Sequence, residues 1–258
     1  MRLWYIALWT NCSLYDNRLR MNFNSYTRFI DNYMSKAARK INIKLSNWNM
    51  ISVKLSQVGN DVRNLSEHVR SVTIYCTETD LRNVITLPDE SQRYEHYLSF
   101  YEEGYRRSGI LSEDQITQLL RLHEQFRSNG YRNEWLFKKK PIREYGIYVY
   151  FKCYFTTYEF RLELEVYDLK QTRLLTKGVV MRTAPSEFCF DKDFKKIVIE
   201  NGHLTVLDFL GHPNFMFDLV RLSAGDFHIY YCEPEEWEVR NKDYIANITR
   251  LKEGASQV

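Results

Sequence analysis

Two alternating stretches between residues 147 and 167 constrain the fold of this chain more than any other feature. Apolar residues occupy every second position of both stretches, a pattern typical of strands with one buried and one solvated face. Pairing Phe155 with Phe160 aligns the apolar positions and predicts a hairpin. The same register sets Lys152 opposite Glu163, a favourable cross-strand pair. A slip of one residue would lose these matches, so the register is well specified.

The second side of this hairpin is rich in tyrosine and charge, and we call it the tyrosine face. Its residues are Tyr148, Tyr150, Lys152, Tyr154, Arg161, Glu163, Glu165 and Tyr167. Tyrosine and arginine are enriched where proteins bind each other, so the pattern predicts a partner-binding surface. In the alternative interpretation, the chain's own helices cover this side and the tyrosines belong to the core.

Composition narrows the class of protein. The 258 residues include 19 tyrosines and 15 phenylalanines, and their apolar content is sufficient for a substantial core. A net charge of +3 is too small to indicate nucleic-acid binding by itself. The five cysteines are dispersed and form no CxxC pair, so the sequence does not predict a zinc ribbon. Their odd number and wide spacing favour a reducing, cytoplasmic location. No apolar run approaches bilayer-spanning length, and we interpret residues 3–9 as a buried strand rather than a signal peptide.

The order of the predicted elements indicates an α+β fold with three parts. Residues 1–88 form an N-terminal α+β portion with strands at 3–9 and 71–76, a helix at 25–40 and a hairpin of 41–45 with 51–55. Residues 89–130 form a helical hairpin, whose second helix begins at a capping box of Ser112 and Gln115. Residues 131–258 form an antiparallel β-sheet portion that includes a meander of strands at 133–139, 145–155, 159–167 and 173–181. The dipeptide Asn201-Gly202 predicts a further hairpin there. The three parts can equally belong to one continuous domain.

Three other patterns support different functions. Glu163 and Glu165 beside Lys152 would suit a divalent metal or acid–base chemistry on a phosphate-containing or nucleic-acid substrate. Lys138–Lys140 with Arg143 would suit a nucleic-acid backbone, although lysines also protect strand edges. The acidic residues 233–238 around Trp237 would suit a basic partner, or form an exposed loop anchored by the tryptophan.

From these patterns we expect a cytoplasmic, non-enzymatic protein-binding module. Soluble, aromatic-rich α+β proteins without a catalytic motif include bacterial immunity-type inhibitors that neutralise a toxin. We therefore expect a protein partner, with a toxin as the candidate, at the tyrosine face, and no cofactor, bound metal, membrane or nucleic acid. The enzyme that uses Glu163 and Glu165 is the alternative.

Overall fold

The computed structural model describes residues 1–11 and 13–254, which adopt the predicted α+β fold. The described residues divide into two compact units. The first contains residues 1–133 and the end of the last helix from Arg250, and the second contains Glu134–Thr249. The two helices of the predicted helical hairpin belong to the first unit. The division into residues 1–88, 89–130 and 131–258 stays a prediction.

The first unit contains a mixed four-stranded sheet. Its strands are β1 (Tyr5–Thr10), β2 (Met50–Ser56), β3 (Val62–Ser66) and β4 (Val69–Tyr75), in the order β1-β2-β4-β3. Strand β2 pairs in parallel with both β1 and β4, and only β3 is antiparallel. The predicted hairpin of 41–45 with 51–55 is therefore wrong. Its second stretch is β2, but the first follows directly from a helix, and Ile43 and Leu45 are buried outside the named strands.

Four helices complete the first unit. They are α1 (Asn17–Ile41), α2 (Glu78–Ile85), α3 (Glu90–Arg107) and α4 (Glu113–Ser128). Helix α1 begins eight residues before its predicted start, at an Asp16 cap that accepts a hydrogen bond from the Leu19 N–H group. The capping box of Ser112 and Gln115 is confirmed at the start of α4. Helices α3 and α4 contact each other, as the helical hairpin predicts.

Polar side chains of α1 satisfy the free edge of β1. The N–H groups of Ile6, Leu8 and Thr10 donate to Ser35 Oγ, Asp31 Oδ1 and Asn24 Oδ1 at 3.0, 2.8 and 2.9 Å. The three partners lie on one side of α1, since Ser35 and Asp31 are about one turn apart and Asp31 and Asn24 about two turns apart. The helix thereby pairs a strand edge that would otherwise expose unpaired backbone groups.

The second unit contains two antiparallel-rich sheets. The meander is β5 (Asn133–Ile142), β6 (Ile147–Phe155), β7 (Phe160–Asp168) and β8 (Leu174–Thr183), with a 3₁₀ turn at Arg143–Tyr145. The other sheet is β9 (Lys196–Glu200), β10 (His203–Leu207), β11 (Pro213–Asp218) and β12 (Tyr230–Tyr231), in the order β12-β11-β10-β9. Asn201 and Gly202 have φ of 50° and 77°, and they join β9 to β10 as predicted.

Three helices accompany these sheets: α5 (Glu187–Phe190), α6 (Leu219–Ser223) and α7 (Pro234–Gly254). The exposed loop predicted at residues 233–238 is wrong, because these residues lead into and form the first turn of α7. Trp237 anchors that turn, as it is buried with its ring centroid 4.7 Å from that of Phe215. Glutamates in a first helical turn are favoured by the helix dipole, which explains the acidic run without a partner.

Aromatic side chains of other elements pack on the apolar side of the meander. Phe160 stacks on Phe190 of α5 with ring centroids 3.6 Å apart, and Phe151 contacts Phe217 of β11. Both meander residues are completely buried. Since side chains alternate along a strand, burial of this side directs the tyrosine face away from the core of the unit.

Candidate functional site

The β6–β7 hairpin has the register that the sequence predicts. Phe155 pairs with Phe160 and Lys152 with Glu163, and the pairs Tyr154–Arg161 and Tyr148–Tyr167 follow. All eight residues of the tyrosine face therefore lie on one side of adjacent strands. The four tyrosines are half-buried, neither enclosed in the core nor fully exposed.

The tyrosine rings contact one another along the face. Tyr148 and Tyr150 are stacked with centroids 5.1 Å apart, and Tyr167 meets Tyr150 edge-to-face at 5.5 Å. The Tyr150 hydroxyl hydrogen-bonds to the side chain of Gln171, in the turn between β7 and β8. At the other end, the Arg161 guanidinium lies 5.0 Å from the centroid of the Tyr154 ring, a cation–π contact. These contacts order the rings before any partner binds.

Glu163 and Glu165 lie deep in the face, each only 5% exposed. A carboxylate at this depth requires compensating charge. Lys152 Nζ lies 2.6 Å from Glu165 Oε2, and Arg161 Nε lies 2.8 Å from Glu163 Oε1. Lys177 Nζ of β8 contacts both carboxylates, at 3.0 Å to Glu163 and 3.6 Å to Glu165. Each carboxylate is therefore paired with two cations of the same sheet.

The charges of this network are arranged in two layers. The side chains of Lys152, Arg161 and Lys177 are 36, 30 and 46% exposed, whereas those of the glutamates are 6 and 7% exposed. The anions form the lower layer and the cations lie above them. A face whose sequence contains both signs of charge thus presents mainly positive charge to solvent.

The protonation states are fixed by this pairing. Burial opposes ionisation of Glu165, but hydrogen bonds from Lys152 and Tyr167 outweigh it and hold its pKa below the usual range. The hydrogen bond to Glu163 raises the pKa of Lys177. Burial opposes the charge on Lys152, but its bond to Glu165 prevails and raises its pKa. Near neutral pH, Glu165 is ionised and both lysines are charged, so none of these three groups is poised to exchange a proton there.

The glutamates have little free capacity for a metal ion. Lys152 and Tyr167 both contact Glu165 Oε2, while Arg161 and Lys177 lie at ion-pair distances of 2.8 and 3.0 Å from the two oxygens of Glu163. Across residues 1–11 and 13–254, the structure brings together no group of three or more His, Cys, Asp or Glu side chains suited to a metal. A metal site at Glu163 and Glu165 would require the ion pairs to break first.

Two grooves of the second unit lie beside α7, and neither is lined by these glutamates. One, of about 360 Å³, is lined by residues that include Cys189, Arg240 and Asp243. The other, of about 330 Å³, is lined by residues that include Arg182 and Trp237. The glutamates of the enzyme hypothesis instead lie on a sheet face, which favours contact with a broad surface over enclosure of a small substrate.

Sequence reasoning missed one central member of the site. Lys177 pairs directly with Glu165 in the β7–β8 register and connects the two carboxylates. Alternation along the predicted strand 173–181 could have identified it, since a lysine opposite a glutamate is a favourable cross-strand pair. Arg182, which pairs with Arg161 in the same register, lies on the same side and is exposed.

The other basic cluster lies on the edge strand. Lys138 and Lys139 of β5 are exposed, Lys140 is half-buried, and Arg143 is exposed in the 3₁₀ turn. Lysines at this position discourage edge-to-edge pairing with another sheet, so their presence has a structural explanation.

Comparison with known proteins gave no relative: no family model matches the chain, and neither do curated proteins or solved structures. In the described part of the chain, every helix is too short or too polar to cross a lipid bilayer. The site therefore has to be interpreted from its own chemistry.

Proposed function

We propose that this chain is a non-enzymatic protein-binding module and that the tyrosine face is its docking surface. The observation that carries the proposal is a row of half-buried tyrosines beside buried, ion-paired carboxylates. Tyrosine provides large contact area at a small cost in conformational entropy, and it is enriched at binding hot spots.

Preorganisation supports the same conclusion. Ring contacts hold Tyr148, Tyr150 and Tyr167, and ion pairs hold Lys152 and Arg161. Side chains that are already ordered lose less entropy on association, so more of the contact energy contributes to affinity. An ordered sheet face of this kind suits a folded protein surface.

Within this proposal, the module acts as an immunity-type inhibitor that neutralises a toxin by covering its active site. The support is the general character of the chain: an α+β fold, abundant aromatic residues and a preformed docking face. Charge on the face would accelerate the encounter with an oppositely charged partner. Capture of a toxin as the partner would test this part of the proposal directly.

The proposal is tested by affinity purification from the native host with matched variants. The double substitution Tyr150→Ala with Tyr154→Ala removes two rings from the face, and Tyr75→Ala removes an exposed tyrosine of the first unit as control. We expect wild type and control to retain a protein that the double variant loses. Calorimetry with that purified protein should give an affinity reduced by about 100-fold or more, since hot-spot truncations cost at least about 2 kcal/mol each. If no captured protein distinguishes the variants, the proposal is wrong.

The enzyme hypothesis is separated by substituting Glu163→Gln and Glu165→Gln together. A metal-dependent or acid–base enzyme would lose turnover and keep substrate binding. A binding module has no turnover to lose, and its partner affinity or salt dependence would change because the cations above the carboxylates lose their compensation.

A further inference from the structure

The charge presented by the meander is positive because of how its residues are layered. The cross-strand register places Lys152, Arg161, Lys177 and Arg182 on the side of Glu163 and Glu165. Glu159 also lies 3.3 Å from Arg161, so four cations and three anions leave a surplus of 4 − 3 = +1 on this part of the face. The side chains of Glu163, Glu165 and Glu159 are 6, 7 and 16% exposed, whereas those of Lys152, Arg161 and Lys177 are 36, 30 and 46% exposed, which makes the contrast at the surface larger than the count.

The edge strand extends this positive surface. Trp135 contacts Phe160 and Phe137 contacts Phe194, so both belong to the apolar side of the meander. Along β5, Trp135 and Phe137 are half-buried whereas Glu134, Leu136 and Lys138 are exposed, which places Glu134 and Lys138 at the two ends of the tyrosine-face side. The alternation ends there, because Lys139 is also exposed and Ile142 is buried. Lys138 therefore extends the positive part of the face, whereas Lys196, which is exposed on β9 of the other sheet, does not belong to it.

We infer that the partner of this module presents an acidic protein surface, in which carboxylates surround an apolar centre. The inference rests on the proposed function and specifies its partner. Carboxylates of the partner would meet the exposed ends of Lys152, Arg161, Lys177 and Lys138, while apolar groups would pack on the half-buried tyrosine rings. Such complementarity steers association and excludes basic partners, which the face would repel.

The geometry favours a protein over single-stranded nucleic acid. Proteins that bind single strands need aromatic faces free to stack on bases. Here Tyr148 and Tyr150 stack on each other, Tyr167 packs against Tyr150, and Arg161 lies over Tyr154.

The test is a nuclear magnetic resonance titration of the full-length, ¹⁵N-labelled chain with three probes. The first is a synthetic peptide of alternating Glu and Leu, the second replaces every Glu with Lys, and the third is an oligothymidylate. We expect the acidic peptide alone to shift amide signals of residues 147–155, 160–168 and 174–183. Lys138→Glu should weaken its binding roughly fivefold or more, whereas Lys196→Glu should leave it unchanged.

Each other outcome overturns the inference. Binding of the basic peptide with equal or higher affinity would contradict the sign of the surface. Equal effects of Lys138→Glu and Lys196→Glu would show that the face is not the binding surface. Tighter binding of the oligothymidylate at the same amides would identify a nucleic-acid surface instead. If no probe shifts any amide signal, charge-driven recognition by this face is excluded. In that last case the proposed function still stands if the Tyr150 and Tyr154 variant loses a captured protein, so the two failures are distinguishable.

Discussion

Two groups of tyrosines in this molecule have similar sequence patterns and opposite environments. Helix α3 contains Tyr94, Tyr97, Tyr101 and Tyr105 on one helical face, and all four are buried. The meander contains Tyr148, Tyr150, Tyr154 and Tyr167 on one side of two strands, and all four are half-buried. The periodicity of each group defines a face, but it does not define what lies against that face.

The difference lies in the elements that pack on each group. Phe23 of α1 meets Tyr97 edge-to-face, and His123 of α4 contacts Tyr105. Enclosure obliges the hydroxyl groups to find internal partners: Tyr101 donates to Asp31, and Tyr105 lies 3.4 Å from His123 Nε2. The meander tyrosines instead contact neighbours on their own sheet, which leaves part of each ring for another molecule.

The largest expected contrast between the two groups is in stability. Tyr101→Ala should lower the free energy of unfolding by about 4 kcal/mol, because it leaves a large cavity in the packed core. Tyr150→Ala should cost about 1 kcal/mol or less, as its ring is only half-buried. Urea denaturation of both variants provides the measurement. Equal losses would mean that the meander tyrosines are core residues and would remove the basis of the docking face.

A second prediction concerns Asp31, which accepts hydrogen bonds from both the Leu8 N–H group and the Tyr101 hydroxyl. Asp31→Ala removes both bonds, and we expect it to lower the free energy of unfolding by about 2–3 kcal/mol. Asp114→Ala, on the exposed side of α4, is the control and should have a much smaller effect. Hydrogen exchange at Leu8 should accelerate only in the first variant; protection that survives would show that Asp31 does not hold the strand edge.

The free energy of unfolding should also depend on pH, because His123 is buried against the tyrosines of α3. Burial, with a smaller contribution from Arg127, lowers the pKa of His123 from 6.5 to about 4. The unfolded chain therefore binds a proton between these values that the folded chain does not, and stability falls as pH falls from about 6.5 towards 4. Between pH 7 and 4.5, wild type should lose about 2 kcal/mol more than His123→Phe. Urea denaturation at the two pH values provides the measurement. Equal losses of the free energy of unfolding in wild type and His123→Phe would contradict this expectation.

The smallest effect is expected in the ion-pair network of the tyrosine face. Glu165→Gln keeps the shape of the side chain but removes the charge that pairs with Lys152 and Lys177. Because both lysines are partly exposed, we expect a loss of about 1 kcal/mol that shrinks in 1 M salt. Glu144→Gln, exposed in the 3₁₀ turn, is the matched control and should change little. A loss several times larger would mean that the ion pairs mainly stabilise the fold and are not mainly a feature of the binding surface.

Local patterns predicted the fold where neighbouring segments pair directly. The register from Phe155 and Phe160, the Asn201-Gly202 turn and the capping box at Ser112 are all confirmed. Prediction failed where pairing is remote in sequence. The sequence predicts a hairpin of residues 41–45 with 51–55, yet β2 pairs in parallel with β1, across the whole length of α1. Its apolar pattern fits either partner, so local information could not select between them.

The sequence by itself determined which residues of the meander share a side, because strand side chains alternate and a slipped register would bury charge. It also assigned all eight residues of the tyrosine face. Only the tertiary structure decided that Glu163 and Glu165 lie beneath Lys152, Arg161 and Lys177. The reason is physical: long cationic side chains extend past their neighbours to solvent, whereas shorter carboxylates remain near the sheet and are covered by them.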